Sequence, residues 1–284
     1  MKQPKLELLS PAGSWEALEA AVRSGADAVY LGGSLFSARA NAQNFDHDTL
    51  KQAVAYCHAR GVKVHLAVNT ILLNHEIEPA LDFVAFACTL PVDAVIVQDT
   101  GLLHLLRQAA PTLQIHASTQ MSVHTPEGAK LLAEQGVSRV VLARELSLKE
   151  IKEISRVLKD GGFAHVEIEH FVHGALCMSV SGQCYFSSLL GSNRVQCAQT
   201  CRLPFSAKGG TGYDLSLKDL SMIERIGELA DAGVTSFKIE GRMKRPEYVA
   251  AATAACRFAL DQQEIPQNQY FLVPDLQQDI PMEH

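Results

Sequence analysis

The chain has 284 residues, 47% hydrophobic and 20% charged, a composition that suits a globular protein with one large core. Its net charge of −6 disfavours a general nucleic-acid coat, which needs a basic surface, but leaves room for a local basic patch. The N-terminus lacks the apolar stretch of a signal peptide, and no apolar run nears the roughly 20 residues of a membrane helix. Together these predict a soluble, cytoplasmic protein in a reducing compartment.

In chain order, short runs rich in β-branched and apolar residues fall at 6–10, 28–32, 62–68, 94–98, 114–117, 139–143, 165–171 and 236–240. Helical patterns separate them at 14–24, 48–60, 76–88, 101–108, 126–135, 147–159 and 221–232, with a last one at 246–262. Gly25, Gly61, Gly136 and Gly233 each stand between a helical stretch and the next strand, where a helix C-cap needs positive φ. Strands this continuously apolar suit a parallel sheet covered on both faces. Eight alternating units predict an α/β fold, a TIM-like (β/α)8 barrel over residues 1–265. A doubly wound open sheet is the alternative, weakened because no G-x-G-x-x-G follows the first strand. The seventh βα connection is very long, from about 174 to 220, and long loops in compact domains usually carry function. In a barrel it lies on the face where active sites occur. Residues 266–284 are polar and proline-bearing and read as a loose C-terminal tail.

Cys177, Cys184, Cys197 and Cys201 lie in that connection with the spacing C-x6-C-x12-C-x3-C. In a reducing compartment, clustered thiols point to metal before disulfides, which makes 174–212 a candidate metal-cluster loop. Zinc would make a closed tetrahedral site, and a [4Fe–4S] cluster would take the same four thiolates. No tight C-x2-C pair is present, so the spacing leans towards the cluster, with zinc and four unrelated buried thiols as alternatives. Cys57, Cys88 and Cys256 sit in alanine-rich helical stretches and read as small hydrophobes.

Polar residues end several apolar strands: Ser10, Asn69, Asp99, Ser118 with Gln120, Arg144 with Glu145, His173, and Glu240 with Arg242. As a ring they would line the barrel mouth, although Ser10, Asp99 and Ser118 also suit helix N-caps. His170 and His173 could be metal ligands, acid/base groups or core histidines, and Glu167 and Glu169 alternate on the same strand. Arg39 and the run from Arg242 to Arg245 could clamp an anion. No H-E-x-x-H, G-x-S-x-G or P-loop is present, so no hydrolytic nucleophile stands out.

The stretch from Glu169 to Ser187, EHFVHGALCMSVSGQCYFS, resembles the signature of the peptidase U32 family. LLSPAG at 8–13, GADAVY at 25–30, RELS at 144–147 and KIEGR at 238–242 are also similar to its recurring segments. The likeness covers roughly residues 6–262. The family name implies a collagenase-like peptidase. Better-understood relatives imply oxygen-independent hydroxylation with a [4Fe–4S] cluster on four cysteines, acting on ubiquinone precursors, the wobble uridine of tRNA, or a cytidine of large-subunit rRNA. The RNA-acting groups imply prephenate as a small anionic oxygen donor. The stretch CAQTCR at 197–202 is most similar to the RNA-acting groups, which makes Cys201 the expected fourth ligand.

The resulting expectation is an RNA base hydroxylase with its cluster on Cys177, Cys184, Cys197 and Cys201. By position, Arg39, Arg144 and Arg242 would hold the anion, and His173 and Glu240 would serve as acid/base groups. Arg194, Arg202, Lys208, Arg242, Lys244 and Arg245 would form a basic stripe for RNA. Most relatives carry a further C-terminal domain, so a partner protein could supply one. The rivals are a U32-type peptidase, with zinc in the cysteine site, and a non-catalytic cluster-bearing electron-transfer or scaffold protein.

Overall fold

The structure, a computed structural model, describes residues 5–190 and 196–264. The strands are β1 (Glu7–Pro11), β2 (Ala28–Gly32), β3 (Lys63–Val68), β4 (Ala94–Val97), β5 (Ile115–Ala117), β6 (Arg139–Val141), β7 (Glu167–Gly174), β8 (Leu220–Ser221) and β9 (Ser236–Ile239). All except β8 are parallel, each beside the next from β1 to β7. β9 then pairs with both β7 and β1, which closes the barrel. The helices are α1 (Trp15–Arg23), α2 (His47–His58), α3 (Ile77–Thr89), α4 (Thr100–Ala109), α5 (Pro126–Glu134), α6 (Leu148–Asp160), α7 (Ile226–Asp231) and α8 (Pro246–Glu264). The eight expected strands are all present, with ends shifted by a few residues. The sequence reading lacked β8, a two-residue antiparallel partner that returns the long loop to His173–Gly174.

Local chemistry sets the helix ends. Ser14, Asp46, Asp99, Thr125 and Ser147 each accept a backbone N–H at the start of a helix, and Ser147 forms a capping box with Glu150. Asp99 is therefore the N-cap of α4, and it also accepts from Leu72 N at 3.1 Å. Gly25 follows α1 at φ +93°, as the repeated pattern predicts.

Strand alternation divides the interior in two. Leu8, Val29, Leu31, Val64, Leu66, Val95 and Val97 face the helices and form the main apolar core with Leu18, Leu50 and Leu102. Leu9, Ala28, Tyr30 and Ile96 form a small separate apolar cluster. Below it the barrel interior is ionic rather than aliphatic. Arg139 Nη1 donates to Glu7 Oε1 at 2.6 Å, Glu169 Oε2 at 3.1 Å and Ser236 Oγ at 3.0 Å. Lys238 Nζ donates to the other Glu169 oxygen at 2.7 Å. Pairing of this kind offsets much of the cost of taking these charges out of water. Among the described residues no helix is long and apolar enough to cross a membrane. The expected tail at 266–284 lies outside the described residues.

Candidate functional site

A cavity of about 510 Å³ opens at the C-terminal ends of the strands. Tyr30, Ala67, Ile96 and Phe171 form its wall and Lys238 part of its floor. The long loop supplies Cys177, Cys184, Cys197 and Cys201 to the same cavity. Its size suits a small-molecule site.

The charged side chains interlock. Arg39 Nη2 donates to Glu240 Oε1 at 3.1 Å, and Arg144 Nη2 to Glu240 Oε2 at 3.2 Å. Burial alone would raise the Glu240 carboxyl, but the two guanidiniums outweigh it and hold it at about 2. Glu240 is thus ionised at neutral pH. Arg144 also points Nη1 at Cys177 Sγ, 3.4 Å away, and lies over the Phe171 ring at 3.8 Å. Arg242 is 4% exposed and donates to Ser37 Oγ at 2.8 Å. Burial pushes it down to about 10, and among the described residues no carboxylate stands at ion-pair distance from it.

The cysteine arm is fastened to the barrel at several points. Ser122 Oγ donates to Ser181 O at 2.6 Å, Glu145 Oε1 accepts from Ser181 N at 2.7 Å, and Gln183 Nε2 donates to Ser122 Oγ at 2.8 Å. Gly182 lies so close to this surface that a Cβ would stand 2.5 Å from Gln120 O. Cys197 N donates to Ala38 O at 2.9 Å, and Arg202 donates to Leu176 O at 2.8 Å and to Leu217 O. Burial raises the Cys201 thiol, Arg202 partly opposes this, and the other three cysteines raise it further by like-charge repulsion. All four thiols are free. Among the described residues no three His, Cys, Asp or Glu side chains already converge as a ligand set. The donor chemistry nonetheless fits a tetrathiolate group: four soft donors share one cavity, and a guanidinium reaches one sulfur.

The structure therefore brings Arg39, Arg144, Glu240, Arg242 and the four cysteines together. It does not bring His173 with them. That ring stacks on Tyr248 of α8 at 5.7 Å, beside Asp219 and Lys244, and does not line the cavity. His170 is buried, with Nδ1 2.9 Å from Phe171 O. The basic stripe is also reduced. Arg242 is inside the cavity, Arg202 is committed to backbone carbonyls and Lys244 pairs with Asp219 at 3.4 Å, while Arg194 lies outside the described residues. The sequence reading gave no role to Lys238, Tyr30, Ser37 or Ser181. A lysine inside an otherwise apolar strand was the signal that could have found Lys238.

Several known proteins are similar to this chain. It is 43% identical over 267 residues to an Escherichia coli protein named "23S rRNA 5-hydroxycytidine C2501 synthase", covering 90% of this chain and 39% of that protein. It is 35% identical to "tRNA hydroxylation protein P1" of Bacillus subtilis, covering 90% of this chain and 63% of that protein. It is also 35% identical to a Porphyromonas gingivalis protein named "Collagenase", covering 90% of this chain and 65% of that protein. The chain thus spans between about two fifths and two thirds of the length of these relatives. A solved U32 peptidase shares the fold at a TM-score of 0.59 and 16% identity, over 85% of this chain and 95% of that one. The model of peptidase family U32 matches residues 13–281, and the chain belongs to that family.

Proposed function

We propose that this chain forms the barrel of an RNA base hydroxylase that works without molecular oxygen. Cys177, Cys184, Cys197 and Cys201 would hold a [4Fe–4S] cluster, and the cavity beside them would take a small anionic oxygen donor such as prephenate. The observation that carries the reading is Arg242, a buried cation that no carboxylate among the described residues meets at ion-pair distance, opening on the cavity that the four thiols line. An unpaired buried charge is costly, and a ligand carboxylate would relieve it. The names of the rRNA and tRNA relatives support an RNA base, tRNA or rRNA, as the group acted on.

When bound, the cluster would supply one-electron transfer. The chain's own residues do the rest. Arg242 binds the anion and Arg39 flanks it. Glu240 stays ionised between Arg39 and Arg144, which suits it to orienting guanidiniums rather than giving a proton. Tyr30, Ile96 and Phe171 keep the wall apolar and exclude water. The peptidase reading lacks machinery here. Among the described residues no histidine lines the cavity, and Cys177 faces Arg144 rather than a base.

The test is nucleoside mass spectrometry of tRNA and 23S rRNA from cells with and without the gene, alongside iron and sulfide content of protein purified without oxygen. Loss of one hydroxylated pyrimidine, with about four irons and four sulfides per chain, is expected. Unchanged nucleosides in both RNAs would remove the RNA reading. One zinc without sulfide would remove the cluster.

A further inference from the structure

We propose that Arg144 couples the reduction potential of the thiol site to the charge held in the cavity. The inference rests on the cluster reading above and adds a role that the reading does not require.

One buried guanidinium serves both places. Its side chain is 4% exposed. Nη1 stands 3.4 Å from Cys177 Sγ and Nη2 3.2 Å from Glu240 Oε2. The Phe171 ring under the guanidinium and the Ser181 hydroxyl at its backbone N–H limit its freedom to choose one partner. Cys177 belongs to the arm that Ser181 fastens, and Glu240 belongs to the cavity.

The electrostatics then have a definite sign. One-electron reduction adds negative charge to a thiolate-bound cluster. A guanidinium N–H aimed at a ligand sulfur stabilises that charge and raises the potential. Glu240 draws on the same guanidinium and opposes it. An anion entering the cavity does the same. Both effects act in a water-poor interior, where salt screens them little. Linkage makes the coupling reciprocal: if the anion lowers the potential, the oxidised protein binds the anion more tightly by the same factor. Arg144 is on this account a positioning and tuning residue, and Arg242 remains the residue that receives the anion.

The experiment uses the full chain purified without oxygen, with iron and sulfide measured first. Its potential is then titrated with dithionite through mediators, followed by absorbance, with and without saturating malonate as the anion probe. Wild type should shift to lower potential with malonate, and its oxidised form should bind malonate about fivefold or more tightly than the reduced form. Arg144→Gln should start at a lower potential and lose the malonate shift, whereas Glu240→Gln should start higher. Arg144→Lys keeps the charge but not the two-point reach, and should retain part of the shift. A purely structural Arg144 would lower the melting temperature and leave the malonate shift intact. A fully loaded Arg144→Gln protein with the wild-type potential would overturn the inference, as would an unchanged potential in Glu240→Gln if Arg144→Gln loses its cluster. Zinc without sulfide in the wild type would instead sink the cluster reading and this inference with it.

Discussion

Arg242 Nη1 lies 2.8 Å from Ser37 Oγ, and this hydroxyl is a neutral partner for a cation buried in the barrel mouth. Glu240, two residues earlier, is taken by Arg39 and Arg144. Removing a buried charge that lacks a direct ion pair should cost little stability, whereas it should remove a charge-assisted contact to an anion worth about 1.5–3 kcal/mol. Arg242→Ala is therefore expected to weaken binding of a small dicarboxylate by roughly tenfold or more, by isothermal titration, with a melting temperature close to wild type. A large fall in melting temperature with unchanged affinity would make Arg242 structural.

Glu240 should behave in the opposite way. Its removal leaves Arg39 and Arg144 facing each other without a shared anion, and breaking a buried pair from one side costs about 3–5 kcal/mol. Glu240→Gln should lower the melting temperature by on the order of 5–10 °C. Malonate should restore part of the loss, because the ligand would replace the missing carboxylate. Absence of any rescue would place the anion away from these arginines.

The barrel frame was legible because the units repeat one local statement: an amphipathic helix, in several of them a glycine such as Gly25, then a run of apolar residues too short for a helix. That the four cysteines cluster in one loop was legible from their spacing, and the fold carries all four to one cavity. His173 was misplaced for a physical reason. Glu169 and Phe171 point into the barrel, and strict alternation would send His173 after them. The ladder between β7 and β9 shifts register between Phe171 and His173, and the ring instead meets Tyr248 of α8. β8 was illegible because its two residues have no strand pattern of their own and exist only as the returning loop's contact with His173–Gly174. The ionic interior was half legible: Arg139, Glu169 and Lys238 stand out as charges in apolar strands, but their pairing depends on the barrel's closure.

The four thiols should separate cleanly from the other three cysteines, of which Cys57 and Cys256 are buried as expected, whereas Cys88 is exposed on α3 and is not a core residue. Cys57 is fully buried in α2, and burial pushes its thiol up to about 12, so it is a poor ligand. Alanine at Cys177, Cys184, Cys197 or Cys201 should abolish iron binding, while Cys57→Ala should retain it. Normal iron in Cys201→Ala would strike that residue from the ligand set. The metal-free chain should also be cut by protease within 175–219 more readily than the loaded chain, since metal would cross-link the arm.

Acid should weaken the fold through the barrel interior. His65 and His116 meet edge to face at 4.8 Å, among Glu7, Arg139, Glu169 and Lys238. Burial pushes His65 down to about 4 and His116 well below its ordinary value. Both histidines therefore fold neutral, and the unfolded chain takes up protons first as pH falls below about 6.5. Stability is full above that value and declines as pH falls from about 6.5 towards 4, by roughly 3 kcal/mol for His65 alone. Glu7 adds a second loss lower down. Burial would raise its carboxyl, but Arg139 outweighs this and holds it at about 2, so stability from that pair is lost progressively as pH falls from 4.5 towards 2. Urea midpoints measured from pH 7.5 to 4.5 should fall steadily, and His65→Gln should flatten the upper part of the curve. A midpoint constant across that range would show that the histidines carry protons in the folded barrel.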